Sequence, residues 1–571
     1  MAFFFRPKLL DSLKGYTRQQ LGADVAAGIT VGVVALPLAM AFAIASGLKP
    51  EAGLFTAIIA GFIISALGGS KVQIGGPAGA FIVIVYGILE RYGLANLILA
   101  TAASGVLLFV MGLLKLGTLI RFIPVAVVIG FTNGIAVLIM LSQAKDFLGL
   151  KVNNMPADFF GILRTLNDAL PSFQASAFAL ACGSLALIVL WQRVFSIKQG
   201  QAPANGLQRI LQVVPGSIVA LIAATLIALG LNLPIETIGS KFGGIPSELP
   251  SFVWPEFSLA NLQQLSMPIF TLTFLGAIES LLCARIADGL IGDRHNPNQE
   301  LMAQGVANFV TPFFGGMPAT GTIARTVTNV KSGGRSPVAG IVHALVLLGV
   351  VWVAAPLANH VPLATLAAIL MFVAWNMGEW HAFTDLKQFR APYRISFFTD
   401  LKQFRAPYRI SLLAVFLLTV MVDLTVAVQF GMFAACITFI YRISSLSRVE
   451  ELTDIDAPLL SNQQGQVRAY RFYGALFFGA VKMVEAIEDE LPQKAVVLDL
   501  KNLIYIDSSG ADALVALAQV CQKKHVRLII CGLNHQPMDI AKRTGLLNLV
   551  DSKVWPDWSS ALESAFLSEK S

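Results

Sequence analysis

Gly75-Gly76-Pro77-Ala78-Gly79-Ala80 and Gly316-Met317-Pro318-Ala319-Thr320-Gly321-Thr322 interrupt long hydrophobic stretches, with Pro77 and Pro318 lying 241 residues apart. Gly and Pro weaken a helix ladder, so each run is poor helix interior. Helical composition then resumes, in Phe81-Ile82-Val83-Ile84-Val85 and in Ile323-Ala324-Arg325-Thr326-Val327. Irregular backbone at membrane depth is tolerated only where it is buried in protein or lines a cavity. Two Gly/Pro-broken segments at corresponding places in two halves point to a transporter's binding site.

The surrounding composition agrees with a membrane setting. The chain is 56% hydrophobic and 13% charged, with mean hydropathy +0.70, whereas soluble domains carry about 25% charged residues. The long apolar runs end near residue 445, and the remainder reads as an ordinary soluble domain. Met1 to Gln20 has no apolar core followed by a cleavage site, so no signal peptide is expected. The net charge of +7 reads as membrane topology rather than as nucleic-acid binding. Cys182, Cys283, Cys436, Cys521 and Cys531 are scattered without paired spacing, and reduced thiols are expected. No metal-spaced cluster and no Walker-type phosphate loop occurs, so no cofactor and no ATP-driven pumping is expected.

Apolar runs of roughly 17 to 25 residues span a bilayer. They fall at 22–46, 51–69, 94–114, 120–142, 174–193, 213–232, 266–287, 299–315, 338–357, 361–378, 411–426 and 427–444. With the half-spans 72–90 and 317–331, fourteen membrane segments result. An even number puts both termini on one side. Loops on that side hold Lys71, Lys115, Arg121, Arg193, Lys198, Arg209, Arg294, Lys331, Arg335 and the cluster from Lys387 to Arg409, against few on the other side. By the positive-inside rule both ends are cytoplasmic. Further landmarks repeat at similar offsets: Ile123-Pro124-Val125 and Val361-Pro362-Leu363 are 238 apart, Gly68-Gly69 and Gly315-Gly316 are 247 apart. Seven crossings is odd, so the second half enters from the opposite face. The expected fold is an all-α polytopic membrane protein, a seven-plus-seven inverted repeat, with its site near the midplane. The stretch 383–396 recurs identically at 398–411 and reads as a duplicated piece of basic cytoplasmic surface.

Within the spans, Glu279 sits in Phe274-Leu275-Gly276-Ala277-Ile278-Glu279-Ser280-Leu281-Leu282. Intramembrane carboxylates cost about 2.5 to 3.5 kcal/mol on insertion scales and mark ion or proton paths. Glu279 is thus the candidate proton carrier, with a satisfied structural carboxylate as the alternative. Arg325, one turn beyond the second interruption, either raises the local potential for an anion or pairs with a lipid phosphate or an acid. Asp24, Arg285, Asp288 and Asp423 lie near span ends and read as interfacial charges. Two half-helices starting near the midplane aim free N–H groups and positive dipole ends into one cavity, which attracts an anion. Phe42, five residues after Pro37, is either an apolar wall of that cavity or helix-packing surface.

With these features assembled, the chain resembles the SulP family of sulfate permeases and related anion transporters. The resemblance rests on Asp24-Val25-Ala26-Ala27-Gly28-Ile29-Thr30-Val31-Gly32, Leu36-Pro37-Leu38-Ala39-Met40-Ala41, Gly75-Gly76-Pro77-Ala78 and the run from Pro318 to Thr326. It implies a uracil-permease-like fold, in which a core (spans 1–4 and 8–11) moves against a gate (spans 5–7 and 12–14) in an elevator manner. It also implies a homodimer in a bacterial inner membrane. The anion would then lie among Phe42, Pro77, Ala78, Gly79, Gly321, Thr322 and Ile323. The stretch Gly276–Ala284, with Lys145–Leu150 and Val373–Met377, looks closest to the C4-dicarboxylate branch, where a glutamate on span 8 is tied to proton coupling. Sodium-coupled bicarbonate transporters of the family instead carry an aspartate at the Glu279 position and threonines at those of Cys283 and Ile323. That leaves proton coupling the better reading, with dicarboxylate, sulfate and bicarbonate all open as substrates.

The sequence divides into a cytoplasmic N-terminal segment (1–20), a transporter domain (21–445) and a soluble tail (446–571). In the tail, Val467–Phe472, Ala495–Leu500 and Arg527–Cys531 read as strands, and Met483–Leu491 and Ala511–Gln522 as helices. Asp507-Ser508-Ser509-Gly510 forms a strand-to-helix turn whose Asp and Ser suit capping. This resembles a STAS domain, an α/β module also found in anti-sigma-factor antagonists, and implies Ser508 as a phosphoacceptor. Regulation of transport or docking of a cytoplasmic protein partner is the expected role. The leading function is secondary active, proton-coupled transport of a C4-dicarboxylate or a related oxyanion such as sulfate, without enzymatic activity. Alternatives are a bicarbonate transporter, a nucleobase symporter of the same fold, and an anion uniporter or channel.

Overall fold

The structure is a computed structural model that describes residues 5–118, 125–152, 155–195, 214–245, 250–254, 259–384, 405–422, 424–452, 466–550 and 554–566. Pro124, Arg121, Lys198, Arg209, Asp423 and most of the duplicated stretch, with its basic cluster, lie outside these residues. The chain forms two compact units, Met1–Met432 and Phe433–Ser571.

The first unit is helical. Its principal helices are α1 (Arg18–Ala45), α2 (Pro50–Leu67), α3 (Ile82–Leu113), α4 (Val125–Leu148), α5 (Ala175–Phe195), α6 (Gly216–Gly230), α7 (Ser266–Ile291), α8 (Pro297–Val310), α9 (Ile323–Lys331), α10 (Val338–Ala358), α11 (Leu363–Met377) and α12 (Arg405–Met421), and α13 (Leu424–Leu446) begins in this unit and ends in the second. Among the described residues six helices are long and apolar enough to cross a membrane, α1 to α5 and α7, and shorter apolar helices accompany them. Local chemistry sets several ends. Thr17 and Gln20 form a reciprocal capping box that starts α1, and Pro362 precedes the first residue of α11. Gly93, with φ 82°, breaks α3 where the first half-span was expected to hand over to the next crossing. The helix α12 begins at Arg405, earlier than expected, so the end of the duplicated stretch is helical.

The helices pack in two groups. In one, α3 packs on α8, α1 on α10 and α2, and α7 on α3 and α9; in the other, α4 packs on α11 and α12, and α5 on α11 and α6. The α3–α8 crossing is close because glycines meet: a Cβ on Gly105 would fall 2.5 Å from Phe309 N, and one on Gly305 would fall 2.5 Å from Phe109 N. Small residues at such crossings let two membrane helices approach where no hydrophobic effect drives them together. Asp24 departs from the interfacial reading. It is 1% exposed and accepts from the backbone N–H groups of Arg335 (2.7 Å) and Ser336 (3.2 Å) and from the Tyr16 hydroxyl (2.6 Å). The start of α1 is thereby tied to the turn before α10.

The second unit holds a four-stranded sheet, β3 (Arg448–Glu451), β4 (Val467–Leu476), β5 (Ala495–Ile506) and β6 (Arg527–Cys531), in that spatial order. Only the β3–β4 pair is antiparallel. Helices α14 (Lys482–Asp489), α15 (Ser508–Lys523), α16 (His535–Arg543) and α17 (Trp558–Phe566) complete it. Residues 495–500 of β5 are all buried, because both faces are covered. Val496, Leu498 and Leu500 pack with Leu514 and Leu517 of α15, while Ala495 and Val497 pack with Ala561 and Leu562 of α17. A continuous apolar run is the sequence signature of such a doubly covered strand.

Candidate anion site

The two interruptions meet. Gly75–Gly76 (β1) pairs antiparallel with Thr320–Gly321 (β2), Gly75 opposite Gly321 and Gly76 opposite Thr320. A 3-10 turn at Gly79–Phe81 leads from β1 into α3, and α9 starts two residues after β2. The amino ends of α3 and α9 thus each follow closely in sequence on one strand of the shared antiparallel pair. The broken segments are held by buried polar side chains. Asn308 binds both backbone groups of Ala319 at 2.8 Å, Thr56 accepts from Met317 N at 2.7 Å, Thr326 Oγ1 accepts from Ile74 N at 3.0 Å, and Asn329 donates to Val72 O at 2.9 Å. From α7, the Gly276 carbonyl accepts from Thr320 Oγ1, and Ser280 accepts from Gln73 Nε2.

Neither helix start is capped by a side chain. Thr322 is a residue type that normally caps, but its hydroxyl donates to the Ile74 carbonyl at 2.9 Å. The first-turn N–H groups of α9 therefore keep no intrahelical or side-chain partner. Ile323 is half-buried and Ala324 exposed, so this turn opens outward from the pair. Uncapped amino ends carry partial positive charge and bind anions.

Phe42, Pro77, Ala78, Gly79, Gly321 and Thr322 are all buried around the paired strands. A Cβ at Gly79 would lie 3.5 Å from Phe42 Cε1 and from Ile139 Cδ1, and 3.7 Å from Met377 Sδ. Phe42 of α1 thus stands against the start of the first half-helix, and α4 and α11 of the other helix group supply Ile139 and Met377. Nothing in the sequence marked those two, since they are ordinary apolar residues within apolar helices. Gln73, Thr326 and Glu300 were also missed. As polar residues in apolar surroundings they were detectable, but their partners lie more than two hundred residues away or on another helix.

Arg325 turns inward. It is 1% exposed, and a Cβ on Gly76 would fall 2.3 Å from its Nη1. Among the described residues it pairs with no acid, and both Nη atoms are buried without a hydrogen-bond partner. Glu279 is half-buried on α7, three residues from Gly276 and one from Ser280, the two residues that hold the interruptions. Glu300, like Asp24, is a buried carboxylate engaged in fixing backbone, and it accepts from Gly69 N (2.9 Å), Ser70 N (3.2 Å) and Gln304 Nε2 (3.0 Å). In the second unit, Asp507 alone caps α15, accepting from Gly510 N at 2.8 Å. Ser508, the first residue of that helix, is exposed.

Comparison with known proteins agrees with this architecture. The sulfate permease family matches residues 21–399 and the STAS domain residues 459–561. The putative sulfate transporter YvdB of Bacillus subtilis is 40% identical over 542 residues, covering 94% of this chain and 96% of that protein. The bicarbonate transporter BicA of Picosynechococcus is 30% identical, covering 90% and 89%. The solved transmembrane domain of a cyanobacterial BicA superposes with TM-score 0.60 at 30% identity, covering 72% of this chain and 98% of that one. Murine Slc26a9 in its inward-facing state shares the fold, with TM-score 0.80 at 19% identity over 98% and 94%. The chain belongs to the sulfate permease family, a family of membrane transporters, and carries a C-terminal STAS domain.

Proposed function

We propose that the protein is a secondary active anion transporter that couples uptake of a C4-dicarboxylate or a related oxyanion such as sulfate to protons. The observation that carries this reading is the pair of uncapped helix starts joined by β1 and β2, with the Thr322 hydroxyl diverted to Ile74. Phe42, Pro77, Ala78, Gly79, Gly321, Thr322 and Ile323 form the cradle, and Arg325 adds positive potential from behind it. Glu279 carries the proton. The helix group containing α1, α3, α7 and α9 serves as the moving core and that containing α4, α5, α11 and α12 as the gate. The working form is a homodimer in a bacterial inner membrane with both termini cytoplasmic. The STAS domain is a regulatory or partner-docking module, with Ser508 as its modifiable residue.

Bicarbonate is the second reading, favoured by the 30% identity to BicA over most of both chains. Against it stands Glu279 at the position where sodium-coupled bicarbonate transporters carry an aspartate. Counterflow of radiolabelled succinate, sulfate, bicarbonate and uracil in proteoliposomes at two pH gradients tests both. Succinate or sulfate uptake that rises with an inward proton gradient supports the first reading. Sodium-dependent bicarbonate uptake alone supports the second, and uracil uptake defeats both.

A further inference from the structure

We propose an outer capture station for small oxyanions, in which Lys145 draws the anion into a cleft between α1, α3 and α4 before it reaches the cradle. The cleft leaves about 590 Å³ free of protein atoms, and Ala45, Tyr86, Ser142, Lys145 and Met155 are among its walls. None of the cradle residues lines it, yet it adjoins them through the chain. Its wall residues Ile82 and Val83 are the first two of α3, directly after the 3-10 turn that leads out of β1. Leu138, also in the wall, precedes Ile139, which stands against Gly79. Along α4, Leu138, Ser142 and Lys145 follow at intervals of four and three and so share one helix face. The seven residues from Leu138 to Lys145 cover about 10 Å of helix.

Charge makes the cleft selective. Lys145 is half-buried and, among the described residues, joins no hydrogen bond or ion pair. The carboxylate in the same wall, Asp146, is taken by Lys241 at 3.3 Å, which also holds Glu236 at 3.1 Å. The Ser142 hydroxyl donates to Ile139 O, and the Tyr86 hydroxyl donates to the Met155 carbonyl. The ammonium is therefore the one charge in this wall left without a partner. Low-dielectric walls focus such a field and raise the local concentration of anions. Three donors on a compact charge suit the oxygens of a sulfate or a carboxylate. Lys145 also sits in the last turn of α4, where a cation favours the helix end. That local role stabilises the helix without selecting ions in the cleft. The part played in uptake rests on the transport reading above, whose topology puts this end of α4 on the non-cytoplasmic side.

The experiment measures thiol reaction rates in the purified full-length protein carrying Ser142→Cys, with Cys436→Ser removing the exposed native thiol. Two methanethiosulfonate reagents are compared, one bearing a sulfonate and one a trimethylammonium group. The sulfonate reagent should react faster, and sulfate or succinate should slow it. Adding Lys145→Gln should cut the ratio of the two rates about tenfold and abolish the slowing, whereas Lys145→Arg should keep both. Melting temperature in detergent checks that each variant is folded, and Val83→Cys on α3 replaces Ser142→Cys if that variant is not. An unchanged ratio in Lys145→Gln overturns the inference, since a lysine that only favours the helix end would lower the melting temperature alone. So does a sulfonate rate indifferent to both oxyanions, or a thiol that neither reagent reaches. Uptake in proteoliposomes is read separately. A wild type that carries none of the tested anions sinks the transport reading, while the rate ratio still decides the site.

Discussion

Thr322 shows how much turns on a single hydroxyl. Its bond to Ile74 O leaves the α9 start open, so Thr322→Asp should close it by placing a capping carboxylate there. Anion uptake in proteoliposomes should fall at least about tenfold, since the added negative charge both occupies the amino end and repels the solute; near-normal uptake would remove the helix start from the site. Gly321→Ala is a packing test, because its Cβ would fall 1.6 Å from Gln73 Nε2. Overpacking of that kind costs about 1–3 kcal/mol, which a lowered melting temperature in detergent would report. Glu279→Gln keeps shape and removes the proton site. Uptake driven by a pH gradient should disappear while anion binding, read by equilibrium dialysis, persists. At this scale the glycines and prolines of the two broken segments were legible in the sequence, since each breaks a strong local rule. The direction of Arg325 and the diversion of Thr322 were not, because both depend on neighbours far away in the chain.

The broken segments are stable as elements only because other helices satisfy their backbone. Glu300 on α8 holds Gly69 and Ser70, so Glu300→Ala should orphan two N–H groups and the Gln304 amide. The expected loss is about 3 kcal/mol of stability, with faster hydrogen exchange at residues 68–76 as the check. On the same face, Asp293 joins Lys71 (3.0 Å) and Lys8 (3.6 Å). Burial alone would push this carboxyl up. The Arg294 N–H and the two lysines outweigh burial and hold it below the ordinary aspartate value. A depressed value means the clasp stabilises above the unfolded aspartate pKa of about 3.9 and is lost as pH falls below it. Asp293→Asn should remove that acid-side dependence from the melting curve. In the second unit, Asp507→Ala should speed amide exchange in the first turn of α15 about fivefold, the equivalent of about 1 kcal/mol of capping. In this unit β4, β5, β6, α14 and α15 were readable from their apolar runs, with ends extended by a few residues where β4 and β5 pair beyond the most apolar stretch, whereas β3, α16 and α17 were not read.

For the whole molecule, an internal duplication is visible in spaced landmarks, and the pairing of β1 with β2 gives those landmarks their purpose. Composition and apolar run length were enough to establish a multi-crossing helical protein with a soluble α/β tail, because burial in lipid demands long apolar runs and internally satisfied backbone. The punctuation by Gly and Pro marked where that regularity had to fail. Tertiary structure alone decided that β1 pairs with β2, that Ile139 and Met377 stand against Phe42 and Gly79, that Asp24 and Glu300 serve as backbone anchors, and that Arg325 is buried. The physical reason is that a residue's type and spacing govern local conformation, whereas orientation and partnership are set by helices hundreds of residues away.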